Sequence, residues 1–127
     1  MTAHRPADYL DHILGAAQQA CLYVEGLEKA DFLDDKRTQQ AVILNLVILG
    51  EAVTKLVSQH QPFAAQFPQV PWRSMKGMRN RLAHGYFDIN LDLVWDTVKS
   101  ALPSLLAQLP AIRDAALAAD NNNASGE

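Results

Sequence analysis

The segment Arg79-Asn80-Arg81-Leu82-Ala83-His84-Gly85-Tyr86 holds the residues with the clearest chemical potential in the chain. Arg79 supplies a guanidinium whose fork of donors suits phosphate, His84 an imidazole that exchanges protons near neutral pH, and Asn80 an amide donor. The three lie within a turn and a half of helix. Together they are the equipment for cleaving a phosphodiester without a metal. The same stretch is a basic island: between Trp72 and His84 the charged residues are Arg73, Lys76, Arg79 and Arg81, with no carboxylate among them, on a chain whose net charge is −3. That balance argues against coating of nucleic acid by bulk electrostatics. Any such contact is local, with Arg73, Lys76 and Arg81 as the flanking phosphate-binding cations.

A helix must carry this segment. Placed on a wheel at about 100° per residue, Trp72, Met75, Leu82 and Ala83 share an apolar face with Arg79 in its middle. An unpaired buried charge costs several kcal/mol, so Arg79 is either paired or lines a solvent-filled cleft. Glu51, which interrupts the apolar surface of an earlier helix, is the candidate partner. His84 lies about 140° from Arg79 on the same wheel. Arg79 therefore has to reach around, or the helix has to open at His84, where Gly85 is suited to the left-handed conformation beyond a helix end.

The remaining elements are helical too. Pro6 fits a first helical position, and Tyr9, Leu10, Ile13, Leu14, Ala17, Cys21 and Val24 recur at helical spacing up to Gly26. After a possible short turn around Leu27–Leu33, Asp34 or Asp35 caps a long helix to about Gln59 that is apolar nearly all round between Ala41 and Val57. Such a helix needs cover on more than one side, which predicts a homodimer, the alternative being a central helix buried wholly within one monomer. Pro62, Pro68 and Pro71 mark a connection with room for one short helical turn, helix three begins near Trp72 and ends at His84 or Gly85, and Asn90 caps a fourth helix that Pro103 kinks or ends. A last helix is expected over Pro110–Ala119, with residues 120–127 as a polar, disordered tail. The fold class is all-α, an up-and-down bundle of four to five helices formed by residues 1–119 as a single domain.

Composition narrows the setting. Among 127 residues, 49% hydrophobic and 20% charged, Cys21 is the only cysteine, so an internal disulfide and a multi-thiolate zinc site are excluded. A cytoplasmic protein is expected, because the N-terminus lacks the basic-then-apolar order of a secretory signal. The longest apolar run, Ala41–Leu49, contains Asn45 and falls short of a bilayer span, so no membrane contact is expected. Asp8 and His12 are one turn apart, with His4 and His60 available, but two ligands are not a site and no metal or other cofactor is expected. Ser74 and Ser104 have no triad spacing, Cys21 reads as a small core residue, and Tyr23 as a surface or interface aromatic.

Arg79-Asn80-x-x-x-His84 resembles the R-polar-x3-H motif of HEPN ribonucleases, and its continuation to Tyr86 resembles the R-x4-H-x-Y form of the HepT toxins. Phe32-Leu33-Asp34-Asp35, Arg37-Thr38-Gln39, Gly50-Glu51-Ala52, Pro71-Trp72-Arg73 and Leu102-Pro103 resemble the same family in the same order, over roughly Ala7 to Leu109. The resemblance implies a HEPN-type bundle acting as a homodimeric toxin, a metal-independent ribonuclease whose two motifs meet in a cleft between subunits. It implies that His84 acts as general base or acid, that Arg79 stabilises charge developing on phosphate, and that Asn80 orients phosphate or imidazole. It also implies a nucleotidyltransferase antitoxin, MntA-like, that adds AMP to Tyr86. Read from the residues alone, Tyr86 is more simply an aromatic packed over the helix end beside Phe87. Two other functions use the same features: a noncatalytic accessory or substrate-binding subunit of a nucleotidyltransferase, and a structural helical dimer in which Arg79 is only an ion pair.

Overall fold

A computed structural model of the protein describes residues 4–85 and 87–125. Among these residues the structure is all-α, with no strand. Its elements are α1 (Pro6–Tyr23), α2 (Lys29–Leu33), α3 (Lys36–Gln59), α4 (Gln61–Ala65), α5 (Trp72–His84), α6 (Leu91–Asp96), a π-helical segment (Thr97–Ala101) and α7 (Leu102–Ser125). Four to five helices were expected. Six helical runs are present, because the turns before α3 and after it each close as a short helix while the last three elements are continuous.

Local chemistry accounts for the boundaries. Asp35, not Asp34, caps α3, its carboxylate accepting from the Thr38 amide at 3.1 Å and from the Thr38 hydroxyl at 2.6 Å. Gln39 reaches back from α3 and donates to the carbonyls of Phe32 and Leu33, at 2.9 and 3.1 Å, so the end of α2 is tied to the start of the long helix. At the other end, Trp72 donates its indole N–H to the Ala64 carbonyl at 3.1 Å and fixes α5 against α4. Asn90 caps α6 by accepting from the Leu93 amide. The left-handed glycine of the chain's described part is Gly26, φ 80°, where the chain leaves α1.

Packing is arranged around α3. It meets α1 along one side and α5 along the other, and α1 in turn meets α7, giving the lateral order α5, α3, α1, α7. The core between them holds Leu10, Ile13, Phe32, Val42, Val53, Leu56, Val98, Leu109 and Ile112, all essentially inaccessible. An 18-residue stretch of α3 has a mean hydropathy of 1.8, long and apolar enough to cross a bilayer, although the run Ala41–Leu49 alone is short. Here it is the helix that α1 and α5 pack against. The expectation that α3 needs cover on several sides is met only in part: Val42, Leu46, Leu49 and Val53 are buried, while Leu44 and Ile48 stay 59% and 42% exposed.

The C-terminal run differs from expectation. Pro103 and Pro110 do not divide it; Pro110 lies inside α7, and the helix continues past Ala119 to Ser125. The reason is the π turn. The Leu102 amide bonds to the Thr97 carbonyl, five residues back, and the next residue, Pro103, has no amide to offer Val98. The Cys21 thiol donates to that Val98 carbonyl at 3.7 Å, a role that its reading as a core filler did not contain. The buried positions Val94, Val98 and Leu102 are accordingly four apart, and only beyond them does the stripe return to the usual alternation of three and four at Leu105, Leu109, Ile112 and Ala116.

Two measurements check this account. A Cβ built on Gly50 would stand 2.2 Å from Arg79 Cβ, so α3 and α5 touch backbone to side chain there. Gly50→Ala should lower stability by about 1–3 kcal/mol in urea titrations despite the ~1 kcal/mol that alanine gains in helix propensity; a stabilised variant would contradict the close approach. The Asp35 carboxyl is held below its usual range by the Thr38 hydroxyl and then the Thr38 amide. A depressed folded-state pKa gives stability that is present above the unfolded carboxylate value of about 3.9 and disappears as pH falls through the lower folded value. Asp35→Ala should therefore lose stability at neutral pH and show a shallower acid limb than wild type.

Candidate active site

Gly50 and Glu51 together seat Arg79. The missing side chain of Gly50 lets α5 lie close on α3, and Glu51, the next residue, then receives the guanidinium: Arg79 Nε donates to Glu51 Oε2 at 3.0 Å and Nη2 donates to the same oxygen. Nη1 donates to the Asn80 side-chain carbonyl at 2.6 Å. Lys55, one turn further along α3, brings its ammonium to 3.9 Å from the other Glu51 oxygen. The Arg79 side chain is 25% exposed and that of Glu51 43%, so this is a half-buried pair that keeps a face toward solvent.

The helical wheel misplaced the apolar stripe of α5. Met78 and Leu82 are its buried residues, Trp72 and Met75 are partly buried, and Ala83 is exposed. The two buried residues are therefore centred roughly 80° from Arg79 at about 100° per residue of a helix. Arg79 stands beside that buried strip and not within it, which is how a permanent cation avoids full desolvation.

His84 is the last residue of α5 and is exposed. Gly85 caps the helix with φ −112°, not in the left-handed region that was expected; glycine is needed because a Cβ there would lie 2.9 Å from the Arg81 carbonyl. Although 140° apart on the wheel, Arg79 and His84 line one cavity of about 520 Å³. Its floor is α3, with Val47, Ile48, Glu51 and Lys55, and α1 faces α5 across it through Tyr9 and His12, with His4 just before that helix. On its other side His84 borders a second cavity of about 550 Å³, whose wall includes Arg81, Leu82, Asn90 and Leu93.

The flanking cations are distributed rather than gathered. Arg73, Lys76 and Arg81 are all exposed. Arg81 borders the second cavity beside His84, while Arg73 lies near the opposite end of α5, about 16 Å along the axis, in a groove with Trp72 and Gln61. Asn80 is exposed and joined to Arg79. Tyr86 lies outside the described residues. The histidines weighed as metal ligands divide: His60 bonds through Nε2 to the His4 carbonyl at 2.8 Å, whereas His12 faces the Arg79 cavity. Among the described residues no three His, Cys, Asp or Glu side chains are arranged to hold a metal ion. Sequence reasoning left Lys55 and His12 outside the site. The i,i+4 spacing of Glu51 and Lys55 was the available signal for the first; nothing local marks the second, which reaches the site only through the packing of α1 on α3.

The described residues thus form a small helical domain in which an R-x4-H motif ends at a helix terminus, its arginine anchored to a glutamate and its histidine exposed. The sequence profile described as Ribonuclease HepT-like matches residues 13–112. "Probable ribonuclease HepT" of Thermococcus cleftensis is 38% identical over 106 residues, covering 84% of this chain and 94% of that protein. "Putative RNase MJ0127" of Methanocaldococcus jannaschii is 42% identical over 82 residues, 65% of each chain. No solved structure matches significantly. The chain belongs to the HepT-like ribonuclease family.

The Glu51–Arg79 contact is open to a double-mutant cycle with Glu51→Gln and Arg79→Gln. Two charge-assisted donors on a half-buried carboxylate should couple by about 1–2 kcal/mol in denaturant unfolding, against the few tenths typical of exposed pairs. A coupling within about 0.3 kcal/mol of zero would mean that the pair does not anchor α5.

Proposed function

We propose that the protein is the toxin of a toxin–antitoxin pair, an endoribonuclease that cleaves RNA without a metal through Arg79 and His84. The observation that carries this is the single cavity they share, on a chain whose relatives are named as ribonucleases. A phosphodiester seated on the free donors of Arg79 and on Lys55 would bring its ribose 2′-hydroxyl within reach of an imidazole. Attack of that oxygen on phosphorus forms the 2′,3′-cyclic phosphate, and the 5′-oxygen of the next nucleotide leaves with a proton. Arg79 stabilises the charge that gathers on the phosphoryl oxygens, His84 transfers a proton as base or acid, and Asn80 holds the guanidinium, and with it the phosphate, in place. Arg81 meets the RNA beside His84, with Lys76 and Arg73 further along α5.

The reading includes a homodimer in the cytoplasm. Leu44 and Ile48 are apolar surface on α3 that one chain leaves uncovered, and Ile48 also borders the cavity, so a second copy seated there would extend each cavity into a composite cleft. Silencing falls to a nucleotidyltransferase antitoxin of the MntA kind that transfers AMP to Tyr86. The added phosphate, two residues beyond His84, would compete with RNA for the same cations. A noncatalytic accessory subunit of that nucleotidyltransferase is the second reading, favoured by the commitment of Nε, Nη1 and Nη2 of Arg79 to Glu51 and Asn80.

Incubating unmodified protein, verified by intact mass, with total cellular RNA in chelator separates the two. Cleavage should occur and should fall at least about 100-fold in folded Arg79→Ala and His84→Ala variants. If wild type leaves messenger and transfer RNA intact, the accessory reading stands instead. With the partner enzyme and ATP, the mass should rise by AMP units in wild type and not in Tyr86→Phe.

A further inference from the structure

Cleavage by 2′-hydroxyl attack requires two proton transfers on opposite sides of phosphorus, one from the attacking oxygen and one to the departing 5′-oxygen. Within one chain a single imidazole on α5, that of His84, lines the cavity. The opposite side is α1, because α3 lies between α5 and α1 and forms the floor.

The groups facing His84 from there are His4, Tyr9 and His12. Tyr9 is buried and donates its hydroxyl to Gln59 Oε1 at 2.7 Å, which turns it toward the end of α3. His4 precedes the helix; its ring packs edge-on against Tyr9 and its Nδ1 lies 4.0 Å from Asp8. On the floor, Glu51 is taken up by Arg79 and Lys55. His12 differs from all of these. It sits within the second turn of α1, is exposed to the cavity, and among the described residues its ring meets only the His4 ring, edge-on at 6.5 Å between centroids. A rigid backbone and an uncommitted imidazole are what a proton-transfer group needs.

Resting on the nuclease reading above, we propose that His12 is a second catalytic residue and that His12 and His84 divide the two proton transfers between them. One accepts the 2′-hydroxyl proton as the oxygen bonds to phosphorus; the other donates its proton to the 5′-oxygen as the P–O5′ bond breaks. The pair ends with its protonation exchanged and is reset by water, so no further reactant is required. Arg79 stays bound to Glu51 throughout and meets the phosphoryl oxygens between the two rings. Each chain then holds its own acid and base, and a composite dimer cleft joins two such pairs.

The test uses an RNA that the wild type cuts, and the same RNA with sulfur replacing the bridging 5′-oxygen at the cleaved linkage. A thiolate leaves without being protonated, so loss of the acid is rescued by sulfur while loss of the base is not. His12→Gln and His12→Asn, shown to be folded by circular dichroism, should cut the oxygen substrate at least about 100-fold more slowly than wild type. On the sulfur substrate, one of His12→Gln and His84→Gln should recover to near the wild-type rate and the other should not. A merely structural His12 could slow both substrates, but not with this dependence on the leaving atom. His12 variants within about threefold of wild type on the oxygen substrate overturn the proposal, as does recovery by both glutamine variants or by neither. If His84→Gln is inactive while His12→Gln is not, only this inference fails; a wild type that cuts no RNA takes the nuclease reading with it.

Discussion

The contact of α5 with α3 at Gly50 and Glu51 is the constraint from which the candidate site follows. Without a side chain at Gly50 the helices approach until Arg79 Cβ occupies the space a methyl would need, and at that distance Glu51 accepts directly from two donors of the guanidinium. The approach also sets how high His84 stands above α3, because Arg79 and His84 ride on the same rigid helix. Size at one residue and charge at the next thus decide a distance that neither Arg79 nor His84 controls. Such an arrangement separates holding from reacting: Glu51 absorbs the orientational entropy of the arginine beforehand, as preorganised electrostatic sites require.

Much of this was readable from residue order. The cap at Asp35, the extent of α3 and α5, the cap at Asn90 and the candidacy of Glu51 as partner of Arg79 rest on local rules that act within a turn, and the structure shows each of those elements. What the sequence did not disclose depends on third parties. The true apolar face of α5 is set by how it packs on α3, so a wheel drawn on α5 alone placed Ala83 inside and left out Met78. Gly85 was assigned a positive φ from its position after a helix, whereas its actual constraint is crowding by the Arg81 carbonyl. His12 is separated from His84 by most of the domain in sequence and by one helix in space.

Charge is economical in this cavity. Arg79 and Lys55 share a single carboxylate, and the other polar side chains of its wall are the three imidazoles of His4, His12 and His84 and the phenol of Tyr9. The acidic remainder of the molecule sits elsewhere, in pairs such as Asp11 with Arg113 and Asp92 with Lys29 that tie α7 to α1 and α2 to α6. An anion thus meets local attraction against a repulsive background, which favours a short contact over an extended one.

The π turn at Thr97–Ala101 has a bearing on chain length. A π segment is geometrically a helix that has taken in one extra residue, so removing any one residue there would restore ordinary winding between α6 and α7. The effect would stay local, because the wide turn alone takes up the extra residue and α7 keeps Leu105, Leu109 and Ile112 toward α1. Removing Lys99, Ser100 or Ala101 would instead place Pro103 four residues after Val98, where its ring crowds the carbonyl that the Cys21 thiol now serves. Single-residue gaps are therefore not neutral in this stretch as they are in a loop.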